Sequence, residues 1–189
     1  MRVIGGTYRS RRLVAPHGLA TRPTSDRLRE TLFNVLSPRI EGAVFADLYA
    51  GSGAVGIEAI SRGASLVYFV DRAPPAIAAL RTNLAALEIK TGFQIVSSGV
   101  SGALRHLADR NPQERCSIMF LDPPYAADDD YGGTLGRIGQ GADSLLTPDG
   151  IVIAEHSRKM LQPLAECYGS LKRYRVLEQG DAGLSFYTR

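Results

Sequence analysis

The 189 residues suffice for one domain with a substantial core, and 44% hydrophobic with 22% charged residues is an ordinary globular composition. Cys116 and Cys167, the only cysteines, form no CxxC pair, and no apolar run approaches the ~20 residues of a bilayer span; a disulfide framework, a zinc site and a membrane anchor are therefore not expected. The net charge is +3, yet residues 1–39 alone hold eight arginines against Asp26 and Glu30, a local +6 that leaves −3 for the rest.

The first segment, residues 1–39, reads as a basic arm ending in a helix. Its cations are all arginine, which binds phosphate bidentately where lysine acts as a point charge. Arg9, Arg11, Arg12 and Arg22 are the candidate nucleic-acid phosphate contacts, against the plainer reading of a solvated tail. Tyr8 beside them either stacks on a base or simply packs. Arg22–Asp26 reads as an extended stretch entering a helix, with Thr24 or Ser25 as cap. Leu28, Leu32, Val35 and Leu36 give that helix an apolar stripe before Pro38.

From there strand-like and helix-like segments alternate. Strands are predicted at Val44–Leu48, Leu66–Val70, Phe93–Val96, Ser117–Leu121 and Ile151–Glu155. Helices are predicted at Ala54–Arg62, Pro74–Leu87, Ser101–Asp109, around Leu135–Leu146, and near Met160–Tyr168. Arg173–Leu177 and Leu184–Thr188 read as a closing hairpin. This order implies an α/β fold with a mostly parallel, doubly wound sheet, helices on both faces and an antiparallel C-terminal strand. Residues 40–189 form the main domain in this reading.

In such sheets ligands bind beyond the carboxyl ends of the strands. Asp47-Leu-Tyr-Ala-Gly-Ser-Gly53 follows the first strand, Asp71 the second, Ser98-Gly99 the third, and Asp122-Pro-Pro-Tyr125 the fourth. Gly51, Gly53 and Gly56 match GxGxxG, and Asp71 lies twenty residues beyond Gly51, a spacing also found in dinucleotide folds. Asp47 separates the two readings. An unpaired carboxylate at the turn repels a pyrophosphate, whereas it attracts the ammonium and sulfonium of S-adenosylmethionine (SAM). Asp71 then accepts hydrogen bonds from ribose hydroxyls.

Asp122-Pro123-Pro124-Tyr125 has a purely conformational reading, as a stiff turn. That reading needs neither the acid nor the aromatic. An exocyclic base amine is a poor nucleophile because its lone pair is delocalised into the ring. Asp122 and the Pro123 carbonyl can hold its N–H groups and turn the nitrogen outward, and Tyr125 offers a face on which an extruded base stacks. The expected activity is methyl transfer from SAM to a nucleic-acid amine. The alternative is an adenine-N6 methyltransferase acting on DNA or another RNA, which shares this loop; for DNA, only ~70 residues separate the two motifs, too few for a recognition domain of usual size.

The arm narrows the reading. Ile4-Gly-Gly-Thr-Tyr-Arg9, Arg11-Arg12-Leu13, Thr21-Arg-Pro-Thr-Ser-Asp-Arg27 and Arg29-Glu30-Thr-Leu-Phe-Asn34 closely resemble the start of the RsmD family. The likeness continues through Asp47–Glu58, Ser61–Ala64, Asn83 and Asp122–Tyr125. The resemblance implies a Rossmann-like class I methyltransferase fold with a seven-stranded sheet, SAM as cofactor, and methylation of a guanine N2 in 16S rRNA. It also implies a substrate already carrying ribosomal proteins. Asp47, Tyr49, Gly51, Gly53, Asp71 and Gly99 are then the cofactor positions, and Asp122, Pro123 and Tyr125 the catalytic loop. A cytoplasmic monomer without metal is expected. Arg72 covers the cofactor or faces solvent, and His156 reads as structural.

Overall fold

Continuous apolar runs such as Val67-Tyr-Phe-Val70 and Ile151-Val-Ile-Ala154 suit strands buried on both faces, and both lie in interior strands of the sheet. The computed structural model describes residues 1–16, 25–123, 128–160 and 162–189. The chain divides into two compact units, Met1–Gly99 and Val100–Arg189. The sheet has eight strands. The architecture is the Rossmann-like α/β fold, with one strand more than expected.

The first unit holds α1 (Asp26–Leu36), β1 (Val44–Asp47), α2 (Ala54–Ser61), β2 (Leu66–Val70), α3 (Pro74–Ala86) and β3 (Phe93–Val96). β1, β2 and β3 run parallel, with Val44 opposite Leu66 and Val67 opposite Phe93. Ser25 caps α1, its Oγ accepting the Leu28 N–H at 3.1 Å. α1 buries Leu28, Leu32, Phe33 and Leu36, and Phe33 stacks on Phe45 of β1 with ring centroids 6.3 Å apart. α2 is apolar nearly all round and buried from Ala54 to Ala59, so it lies inside the unit rather than on its surface.

Residues 1–13 fold back on themselves. The Val3 N–H donates to the Arg11 carbonyl (3.0 Å), Ser10 to Val3 (2.9 Å) and Leu13 to Met1 (3.1 Å). Val3 and Leu13 are buried, while the side chains of Arg2, Arg9, Arg11 and Arg12 stay exposed. The described part of the arm is therefore packed backbone with a guanidinium-rich surface.

The second unit holds α4 (Val100–Ala108), β4 (Cys116–Leu121), α5 (Asp128–Gln140), α6 (Ala142–Leu145), β5 (Leu146–Ser157), β6 (Cys167–Tyr168), β7 (Leu171–Gln179) and β8 (Ala182–Thr188). β4 and β5 are parallel; β8 is antiparallel to both β5 and β7, with Ile153 opposite Phe186. The hairpin turn uses Gly180 at φ 61. No helix forms over residues 162–168. Pro163 withholds an N–H there, and the Leu164 and Ala165 carbonyls accept from Arg173 Nη1 (2.9 Å) and Tyr187 Oη (2.9 Å) instead of from a helical turn. Cys167 and Tyr168 pair with Lys172 and Leu171, which supplies the eighth strand. Among the described residues no helix is long and apolar enough to cross a membrane.

Candidate functional site

β1 delivers Asp47 to the mouth of the glycine turn. Its carboxylate is only 2% exposed, and Oδ2 accepts the Gly56 N–H at 2.9 Å. Gly56 is the third residue of α2, where backbone N–H groups have no intrahelical partner and the helix end is positive. One carboxylate oxygen thus holds α2.

Asp71, half-buried after β2, binds backbone with both oxygens: Oδ2 accepts from Gly51 N–H (2.8 Å) and Oδ1 from Ala73 N–H (2.9 Å). It clamps the glycine turn to the start of α3, whose Pro74 needs no donor partner at that position. The Ala50 N–H donates to Val70 and the Gly53 N–H to Ala50, closing the turn.

The three glycines are required for different reasons. Gly53 sits at φ +80, and a Cβ there would come within 2.4 Å of Leu80 Cδ1. Gly56 is helical, but its Cβ would meet Phe69 Cε1 at 2.2 Å. Both are demanded by close packing. Gly51, at φ +54, has nothing within 4 Å of the Cβ position, so its open side is a place where the backbone can meet a ligand. Tyr49 is half-buried in the same turn; Arg72 is exposed, as is Gly99, which also has open space around it.

Beneath the turn lies a hydrogen-bonded support that the sequence reading did not assign. Asn83 of α3, 2% exposed, donates through Nδ2 to the Ser52 carbonyl (2.8 Å) and the Val14 carbonyl (3.0 Å), and accepts the Val14 N–H (2.8 Å). Glu58 of α2 is fully buried and accepts the N–H groups of Ile4 and Gly5, each at 2.7 Å. Arg62 Nε donates to it at 2.8 Å, and Arg29 Nε lies 3.8 Å away. Ser61 adds its carbonyl to Thr7 N–H and its Oγ to Tyr8 N–H. The visible signal was polarity in an apolar context: Glu58 interrupts Ala-Val-Gly-Ile and Ala-Ile, and Asn83 sits on the Leu80–Leu84 face.

The arginines divide by environment. Arg29 is wholly buried, bonded to Asp26 at 3.0 Å and to the Arg2 carbonyl, so this member of the basic run serves the core. Arg11 is exposed but donates to the Ala86 carbonyl at 2.9 Å. Arg9 and Arg12 are exposed and make no ion pair among the described residues. Arg22 lies outside the described residues.

In the second unit β4 leads directly into Asp122, half-buried, and Pro123, buried. Tyr125 lies outside the described residues. His156 of β5 places Nε2 3.0 Å from Ser185 Oγ and Nδ1 3.2 Å from the Ser157 carbonyl. Its ring lies against Gly183, where a Cβ would fall 2.6 Å from Cε1. Burial lowers its pKa from the usual histidine value, so a neutral ring packed between β5 and β8 is favoured. Burial likewise pushes the Cys116 thiol up to about 12, which leaves it unreactive. Among the described residues no cluster of three or more His, Cys, Asp or Glu could hold a metal ion.

Comparison with known proteins follows the same outline. A family model described as conserved hypothetical protein 95 matches residues 1–188. YlbH of Bacillus subtilis (strain 168) is 38% identical over 189 residues, covering 100% of this chain and 99% of that protein. Ribosomal RNA small subunit methyltransferase D of Escherichia coli (strain K12) is 42% identical over 125 residues, which span 66% of this chain and 60% of that protein. The solved structure of yhhF from Escherichia coli superposes with a TM-score of 0.78 at 28% identity, covering 100% of this chain and 97% of its own.

Proposed function

The chain belongs to the family described as conserved hypothetical protein 95, the RsmD family, and from that premise we propose that it transfers a methyl group from SAM to the exocyclic N2 amine of a guanine in 16S rRNA. The rRNA methyltransferase class rests on the named relative and the shared fold. The guanine and its nitrogen rest on the loop chemistry and the family likeness.

The observation that carries the cofactor half is the glycine turn. Its open, left-handed Gly51 is held by Asp71 and flanked by the buried, anchored Asp47. This donor set fits SAM. Asp47 suits an ammonium, the Asp71 oxygens retain lone pairs for ribose hydroxyls, and the Gly56 N–H at the start of α2, a donor of the kind a pyrophosphate uses, is already taken by Asp47. When bound, SAM supplies a methyl group on an electrophilic sulfonium.

The protein's own work is positional. Asp122 and the Pro123 carbonyl accept the N–H bonds of the target amine, turning its lone pair out of conjugation. The paired prolines fix the direction of those acceptors, and Tyr125 stacks on the extruded base. Exposed Arg9 and Arg12 contact phosphates, with Arg22 completing the set. A small-subunit assembly particle, in the cytoplasm, is the proposed substrate, and the enzyme acts as a monomer.

Tritium transfer from labelled SAM tests this, with 16S rRNA, isolated small subunits and DNA offered in parallel. Digestion is expected to give N2-methylguanosine from RNA; N6-methyladenine from any substrate overturns the assignment. Asp122→Ala should abolish turnover and leave SAM affinity nearly intact. Equal losses of both would instead make the loop a structural element.

A further inference from the structure

Arg9, assigned above to a phosphate, also lines a cleft in the arginine-rich surface. A cavity of about 370 Å³ opens between the N-terminal hairpin and the first turn of α1, lined by Arg2, Arg9, Ser10, Asp26, Arg27 and Glu30. That volume is at the low end of the ~300–1,000 Å³ typical of small-ligand sites, room for about one nucleotide.

Its charges are of two kinds. Arg2 is engaged by Asp26 at 3.4 Å, and Asp26 also receives Arg29. Arg9 and Arg27, from separate stretches of chain, make no ion pair among the described residues. Asp26 is already engaged, so a phosphate between these two guanidinium groups would relieve their mutual repulsion. Glu30 also lines the cleft without an ion pair among the described residues. A bare phosphate would be repelled by that carboxylate. A nucleotide carries both complements at once, an anion for the guanidinium groups and base N–H donors for the carboxylate. Ser10 adds a further sign: at φ 69 it holds a left-handed conformation that serine adopts only under constraint, and such strain gathers at ligand sites.

We propose that this cleft holds one RNA nucleotide other than the target base, with Arg9 and Arg27 on its phosphate and Glu30 on the amino-bearing edge of its base. The assignment rests on the RNA-methylating function proposed above and adds a recognition site to it. Cytosine, with an N4 amine, should be preferred there over uracil, which has only an acceptor at that position.

The experiment uses the full chain and short fluorescent oligo(C) and oligo(U) RNAs, with anisotropy titrations across a salt series. The wild type should bind oligo(C) at least threefold tighter than oligo(U). Glu30→Gln should remove that preference. The double variant Arg9→Ala/Arg27→Ala should flatten the log–log salt slope by about 0.7, the release expected for one neutralised phosphate on a single strand. SAM affinity by calorimetry and the unfolding midpoint should match the wild type, which certifies the fold. A double variant whose salt titration overlays the wild type, or a C-over-U preference that survives Glu30→Gln, overturns the cleft assignment. If those results accompany normal methylation of small subunits, only the cleft proposal falls. If the wild type methylates no RNA, the function falls with it.

Discussion

Gly51 and Gly53 stand two residues apart in the same turn, both left-handed, yet alanine should affect them differently. At Gly51 the Cβ meets no atom within 4 Å, so the cost to the free protein is the backbone conformation alone, ~1–2 kcal/mol. At Gly53 the φ of +80 carries the same cost, and the Cβ also approaches Leu80 Cδ1 to 2.4 Å, adding the ~1–3 kcal/mol of overpacking. Gly53→Ala should therefore lose about 2–5 kcal/mol, a large share of the ~5–15 kcal/mol available to a typical domain. If the open side of Gly51 is where SAM lies, the ranking reverses for binding. The new methyl stands in ligand space, and affinity should fall tenfold or more in a protein that is still folded, about 1.4 kcal/mol. Urea unfolding of the ligand-free variants measures the first quantity and calorimetric SAM titration the second. Full SAM affinity in Gly51→Ala, or equal destabilisation by the two changes, would refute the division into a ligand-facing glycine and a packing glycine.

Glu58→Ala removes a fully buried carboxylate from two backbone N–H groups and from Arg62 and Arg29; a loss of about 3–5 kcal/mol and early tryptic cleavage after Arg2 or Arg9 are expected, with Glu58→Gln milder. Arg12→Ala should flatten the salt dependence of RNA binding by about 0.7–0.9, whereas Arg11→Ala should do less, because its guanidinium already serves the Ala86 carbonyl. His156 has a lowered folded pKa, so the unfolded chain takes up its proton first. Its stabilising contribution is complete above the ordinary value of ~6.5 and is lost as pH falls toward the folded pKa; His156→Asn should make unfolding free energy less steep as pH falls below about 6.5.

Much of the first unit was readable because its signals are local. Ser25 caps α1, Pro74 opens α3, and the Gly51-to-Asp71 interval is a real bond between the Asp71 carboxylate and the Gly51 amide. Asp47 was readable as an acid at a strand end beside the glycine turn, but not its burial or its bond to Gly56, which depend on how α2 leaves the turn. The segment 162–168 misled because its helical spacing is genuine while Pro163 and two distant donors, Arg173 and Tyr187, claim its backbone. Two-residue β6 is too short to carry a periodic pattern at all. The hairpin of residues 1–13 could not be placed from composition, since an arginine-rich stretch reads as solvated until its backbone partners are known.

Those partners have a consequence for biosynthesis. Residues 4–14 leave the ribosome before the groups that receive their backbone, Glu58, Ser61 and Asn83, which lie 53 to 69 residues later in the chain. During elongation the opening segment therefore waits, unpaired and cationic, until α3 has emerged. The first unit can close only then, by a long-range step of the kind that slows folding. An arginine-rich strand without its docking site is, in that interval, free to adhere to whatever polyanion is nearest, and at the site of synthesis that is the ribosome itself.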